Sequence, residues 1–266
     1  MEFRFKAGRL PMLVSMPHVG TDIPDEVAGR LAPCAQARAD TDWHLPELYG
    51  FLEEMGVSVL SARWSRYLID LNRPPENTNL YPGMSTTGLC PVDTFGDEKL
   101  YLEGKEPDEA EVRRRLDRYW TPYHHQLRTE LDRLKREFGS VVLWDAHSIA
   151  SVVPRFFEGR LPDLNFGTAE GKSCAQGLED AVVGIARAQD RFSIAVNGRF
   201  KGGHITRHYG QPQENVHAIQ LEMCQCLYMN EAPPFAYRPD VAAEVQPLLR
   251  AMIGGAVEWV QGSGRS

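Results

Sequence analysis

The stretch VVLWDAH at residues 141–147 decides the fold class. Its first four residues are apolar without alternation, the pattern of a strand covered on both faces, and it closes on a carboxylate and an imidazole. Just upstream, Val112, Leu116, Trp120, Leu127, Leu131, Leu134 and Phe138 fall at helical spacings, which predicts a long helix from about 108 to 138. Pro122 is expected to kink or break that helix and Gly139 to cap it. Further out, residues 12–16, 57–62, 66–71, 192–196 and 216–223 read as strands, and 45–54, 175–188 and 239–260 as helices. Strands alternating with helices mark an α/β fold. Residues 73–98 hold four Pro and three Gly and read as a long loop, and 198–213 as a Gly- and His-rich one. No repeat or linker interrupts residues 1–266, which read as one domain.

The 266 residues carry 29 Lys and Arg against 36 Asp and Glu, a net charge of −7, with 42% hydrophobic residues, ordinary values for a soluble globular chain. With no separate basic stretch, the phosphate attraction that nucleic-acid binders rely on is missing. No run approaches the ~18–20 apolar residues of a membrane span. The first residues mix charges into any apolar run, unlike a secretory leader, so a cytoplasmic protein is expected. Cys34, Cys90, Cys174, Cys224 and Cys226 are odd in number and scattered, which reads as reduced, inert thiols. No heptad run speaks to the oligomeric state.

Ligands of open α/β sheets bind beyond the carboxyl ends of the strands. His18 follows MLVSM, Asn72 and Arg73 follow YLIDL, Asp145 and His147 follow VVLW, and Glu222 lies within AIQLEM. Two imidazoles and one carboxylate with an open fourth position form a common catalytic zinc set, and His18, His147 and Asp42 of DTDWH could supply it. Asp42 serves equally well as a helix N-cap, and Asp145 as the partner that orients His147. A carboxylate in an apolar strand is costly, so Glu222 needs a partner or a function. Arg66, Arg73, Arg199 and Arg207, with Lys201, His204 and His208, point to a small anionic substrate carrying more than one carboxylate. His124 and His125 read as structural, and His44 as helix surface. The motifs GxSxG, GxxxxGK[ST] and HExxH are missing, as is GxGxxG after the first strand.

Six blocks go beyond pattern: MPHVGTDIP (16–24), DTDWH (40–44), SRYLIDLNRP (65–74), LWDAHS (143–148), NGRFKGGHITRHYG (197–210) and AIQLEM (218–223). Together the sequence resembles the N-formylglutamate amidohydrolase (deformylase) family from about residue 10 to 250. The resemblance implies a three-layer α/β fold with a mixed sheet, phosphorylase/hydrolase-like and similar to zinc carboxypeptidases. It also implies metal-dependent hydrolysis of N-formyl-L-glutamate to L-glutamate and formate in histidine degradation, zinc being the expected ion although these ligand types suit several. Carried over by residue, His18 and His147 match the metal-binding histidines and Glu222 the general base. Distant relatives place the metal carboxylate three residues after the first histidine, where this chain has Thr21. Asp42 is therefore taken as the third ligand, with Asp22 and Asp145 as alternatives. Arg207 or His204 would stabilise the oxyanion, and Arg66, Asn72, Arg73, Arg199 and Arg207 would bind the substrate, with Arg66, Arg73 and Arg199 acting through its carboxylates. Deacylation of another N-acyl amino acid, or non-catalytic binding of an acidic ligand, are the competing readings.

Overall fold

A computed structural model describes residues 2–81 and 83–263. Among them, β1 (Phe3–Lys6), β2 (Met12–Met16), β3 (Ser58–Ala62), β4 (Val141–Ile149), β5 (Leu164–Gly167), β6 (Ile194–Val196) and β7 (Val216–Cys224) form one mixed sheet. The spatial order is β1-β3-β2-β4-β7-β5-β6. The central four strands run parallel, β1 is antiparallel to β3 and β5 to β7, and β6 is parallel to β5. The helices are α1 (Asp25–Ala28), α2 (Leu45–Leu48), α3 (Leu52–Met55), α4 (Glu109–Arg115), α5 (Thr121–Phe138), α6 (Gln176–Arg187), α7 (His204–Tyr209) and α8 (Pro239–Ser263).

Both faces of the sheet are covered, which is why β4 shows no alternation. Met12, Val14, Val142, Trp144, Ile219 and Leu221 pack with residues of α2, α3, α6 and α8. Leu13, Val141, Leu143, Val216 and Ala218 pack with Tyr123, Leu127, Leu131 and Leu134 of α5. On this second face the register lines up Leu13, Leu143 and Ala218, then Ser15, Asp145 and Gln220, then His147 beside Glu222. The face thus turns from apolar to polar toward the carboxyl ends of the strands. Glu222 is not a stray charge in an apolar strand but the last rung of a polar row.

The structure differs from the sequence reading in several places. Arg66–Leu71 is no strand: its backbone turns on local bonds, Leu68 N to Ser65 O (2.9 Å), Tyr67 N to Ser65 Oγ (3.2 Å) and Asn72 N to Asp70 Oδ1 (2.8 Å), with a single backbone–backbone bond to another segment, from Asp70 N to Leu89 O (2.7 Å), and no strand ladder. Its apolar residues are buried outside the sheet with Tyr101, Tyr119 and Tyr123. The 45–54 stripe divides into α2 and α3, with Gly50 between them. The long helix is interrupted next to Pro122 and not ended there: a π-helical turn over Leu116–Trp120 separates α4 from α5, and the proline sits in the first turn of α5, where no N–H is needed. Short β1 and β5 carry too little pattern to be read. The 198–213 loop contains α7. Among the described residues no helix is long and apolar enough to cross a membrane.

Candidate active site

Three segments far apart in sequence converge at the carboxyl ends of β2 and β4, His147 lying within β4 two residues before its end. His18 lies two residues past β2, and its Nε2–H donates to Asp70 Oδ1 (2.7 Å), leaving Nδ1 turned inward with its lone pair. Asp70 in turn accepts from Arg66 Nη2 (2.7 Å). Burial disfavours the Asp70 anion, but His18 and Arg66 outweigh it and hold this carboxyl well below its usual range. His147 presents Nε2 to Asp145 Oδ1 (3.1 Å), so its Nδ1 also faces inward, 3.1 Å from His18 Nδ1. Against the lowering pull of burial, Asp145, Asp42 and Glu222 keep this imidazole well above its ordinary value.

Asp42 completes the group. Its backbone N–H donates to His18 O (3.0 Å), which ties the two segments together. Its Oδ2 lies 3.3 Å from His147 Nδ1 and 3.8 Å from His18 Nδ1, and it is buried without a hydrogen-bond donor. The helix-cap reading fails, because His44 is the N-cap residue of α2 and no side chain caps it. Tetrahedral zinc with bonds of about 2.0–2.1 Å needs donor atoms about 3.3 Å apart, close to the separations found here. A buried acceptor without a donor also calls for a cation. The donor set therefore fits a divalent metal. Of the alternatives, Asp22 pairs with Arg63 Nε (2.7 Å) at the surface. Asp145 stands behind His147 and accepts from Asn72 Nδ2 and Thr206 Oγ1, both at 3.2 Å.

A cleft opens over this group, lined by His18, His147, Glu222, Arg66, Asn72, Arg73 and Arg199. Burial pushes the Glu222 carboxyl up to about 8. Tyr81, Ser85 and Thr86 bring the 73–98 loop into the wall. Arg73 Nε donates to Thr87 O (2.9 Å), and Arg199 donates to Phe156 O (2.8 Å) and Ser85 O (3.0 Å), so the loop is held by the guanidiniums it covers. Arg207 and His204 are not in the lining. Arg207 Nε is used by Gly202 O (2.8 Å), and His204 is buried beside Trp120 and His208, with burial pulling it down to about 4. The helical turn of α7 instead aims Ile205 N at Asn72 Oδ1 (2.8 Å) and Thr206 at Asp145, so α7 braces the site from behind.

A family model described as N-formylglutamate amidohydrolase matches residues 10–229, a span that holds every residue placed above. The chain belongs to the N-formylglutamate amidohydrolase family. Two curated relatives are named N-formylglutamate deformylase. One, from Pseudomonas aeruginosa, is 51% identical over 96% of both chains. The other, from Pseudomonas putida, is 48% identical over 96% of this chain and 95% of its own. The crystal structure of N-formylglutamate amidohydrolase from Ralstonia eutropha matches at a TM-score of 0.82 with 25% identity, covering 99% of this chain and 98% of that one. A gene product of Agrobacterium tumefaciens, 19% identical with a TM-score of 0.72 over 98% of this chain and 96% of its own, shares the fold.

In this family member, the sequence reading missed the parts that hold the cleft residues in place. Asp70 was visible as a charge inside the apolar run YLIDL, yet only the structure joins it to His18. Trp120 and His124 stack at 3.6 Å between ring centres and grip the backbone on either side of Asn72. Trp120 Nε1 donates to Arg73 O (3.1 Å), while His124 Nε2 is 2.8 Å from Leu71 O and its Nδ1 2.9 Å from Tyr209 OH. His124 is thus structural, as its place in the helix suggested.

Proposed function

We propose that this chain hydrolyses N-formyl-L-glutamate to L-glutamate and formate, using a divalent metal, zinc by donor type, held by His18, Asp42 and His147. The observation that carries this is the placing of that donor group and Glu222 together at the floor of an arginine-lined cleft. The names of the two Pseudomonas relatives support the substrate. When bound, the metal supplies Lewis acidity toward a carbonyl oxygen and a water molecule.

The protein's own groups do the rest. Arg73 and Arg199 at the cleft wall bind the two carboxylates of the glutamyl part and fix the formyl carbon over the floor, while Asn72, expected from sequence to hold substrate, has its amide on Asp145, His147 and Ile205 and braces the floor instead. Glu222 takes a proton from the attacking water and passes one to the amide nitrogen as the C–N bond breaks. Its buried setting raises its affinity for that proton. Arg66, the most deeply buried of the three cleft guanidiniums, keeps Asp70 anionic and so holds His18 in the tautomer that donates from Nε2. With Arg207 and His204 behind the wall, the oxyanion donor passes to a group that lines the cleft. One domain carrying all these parts, a phosphorylase/hydrolase-like kinship with zinc carboxypeptidases and a place in histidine degradation belong to the same proposal. The five free thiols suit a reducing, cytoplasmic setting.

The test is formate release from N-formyl-L-glutamate by protein as isolated, after chelation, and after metal is restored. Activity should vanish with the chelator and return with one divalent ion. A folded, metal-replete protein that releases no formate overturns the proposal and directs attention to other N-acyl amino acids. A second expectation concerns the Trp120 grip. Trp120→Phe keeps the ring on His124 but loses the donor to Arg73 O, a bond of about 0.5–1.5 kcal/mol. KM should rise by about 2–10-fold with kcat nearly unchanged, the pattern of lost uniform binding. An equal fall in kcat would instead place Trp120 in the chemical step.

A further inference from the structure

A partly exposed thiol and a guanidinium meet outside the cleft, where β7 ends. The strand stops at Cys224, and a 3-10 turn over Gln225–Leu227 carries Cys226 away from it, so the two residues do not share a strand face. Cys224 is buried and Cys226 is partly exposed. Arg160 Nη2 lies 3.5 Å from Cys226 Sγ and 2.6 Å from Asp163 Oδ1. Glu231 is the carboxylate nearest to opposing a negative sulfur. It accepts the Cys226 N–H (2.9 Å), and its charge is also taken up by Ser151 N (2.6 Å) and Ser151 Oγ (2.7 Å).

We infer that Cys226 is a nucleophilic thiol and a site of modification by hydrogen peroxide, with Arg160 as the group that activates it. Thiolates rather than thiols are the nucleophiles, and reactive ones sit in partly exposed, electropositive settings. The adjacent Cys224 and Arg160 hold the Cys226 thiol below its ordinary value, against burial and Glu231, while the Cys224 S–H itself donates to Pro162 O (3.3 Å). The other shifted thiols go the opposite way, burial pushing Cys90 up to about 11 and Cys174 to about 12. In the reaction the Cys226 sulfur attacks one peroxide oxygen, an S–O bond forms and the O–O bond breaks. Hydroxide leaves and takes a proton from solvent. The sulfur is oxidised to a sulfenic acid and the peroxide is reduced to water.

The test uses the intact protein and does not depend on its catalytic assignment. Alkylation by iodoacetamide is followed thiol by thiol, by peptide mapping, between about pH 6 and pH 9. Partly exposed Cys34, whose thiol donates to Lys99 O (3.2 Å), is the internal reference. At neutral pH Cys226 should react about tenfold faster than Cys34 or more, with a midpoint near its lowered value. After hydrogen peroxide, dimedone should mark Cys226 first. Arg160→Gln should move the midpoint upward while Arg160→Lys largely keeps it, and Cys226→Ser should abolish the label without altering formate release. Cys226 reacting no faster than Cys34, or dimedone marking Cys34 instead, would overturn the inference. Both readings come from the wild-type protein, so they stand even if the Arg160 variants fail to fold.

Discussion

Glu222→Gln should leave the metal in place and lower turnover by roughly 10²–10⁴-fold, the usual scale for losing an acid/base group. The substitution keeps the shape of the side chain and removes only its ability to take and return a proton. Glu222 is a rung partner of His147 in the β4–β7 ladder and is not one of the three grouped donors, so metal content should not change. Folding should not suffer either, because burial already works against the charged form of this carboxyl and the amide carries no charge to desolvate. Metal analysis beside steady-state turnover gives the answer. Near-normal turnover in a metal-replete variant would remove Glu222 from the chemistry.

The second large effect is loss of the ion itself. His18→Ala and His147→Ala each reduce three converging donors to two, and both variants should be purified with little metal and almost no activity. Removing His18 leaves Asp70 with Arg66 and the Asn72 N–H, and removing His147 leaves Asp145 with Asn72 Nδ2 and Thr206 Oγ1, so each variant should lose about 1–3 kcal/mol of stability at most, the cost of one missing buried partner. Asp22→Ala is the control: its carboxylate is tied to Arg63 at the surface, and the variant should keep its metal. Full stoichiometric metal in both histidine variants would show that neither imidazole binds it.

The parts of this molecule that were legible from sequence are those whose burial pattern is long and regular. β4, β7, the α5 stripe and α8 each carry enough apolar residues in one period to override local ambiguity. RYLIDL was misread because a buried irregular segment is as apolar as a strand, and what distinguishes it is Ser65 and Asp70 bonding to their own neighbours. In the site, strand-end polarity pointed to His18, His147 and Glu222. Asp42 had no such signal, for its position depends on one backbone bond to His18 across 24 residues of chain. Arg207 and His204 looked like site residues because they sit in a glycine-rich basic stretch. The short helix α7 then fixed which of its side chains face inward, and no residue-type count can supply that phase.

The pairing of His147 with Glu222 on adjacent parallel strands has a consequence for how activity is lost. Neighbouring strands lie about 4.8 Å apart because their peptide groups bond, whatever fills the core beneath them. The working distance between proton carrier and ion-binding group is thus a gauge set by the backbone. Thinning the core at Trp144 would lower the melting temperature without resetting that gauge. On heating, such a variant should keep full activity per folded molecule and lose it in step with unfolding, so that a thermal inactivation curve and a spectroscopic melt superimpose.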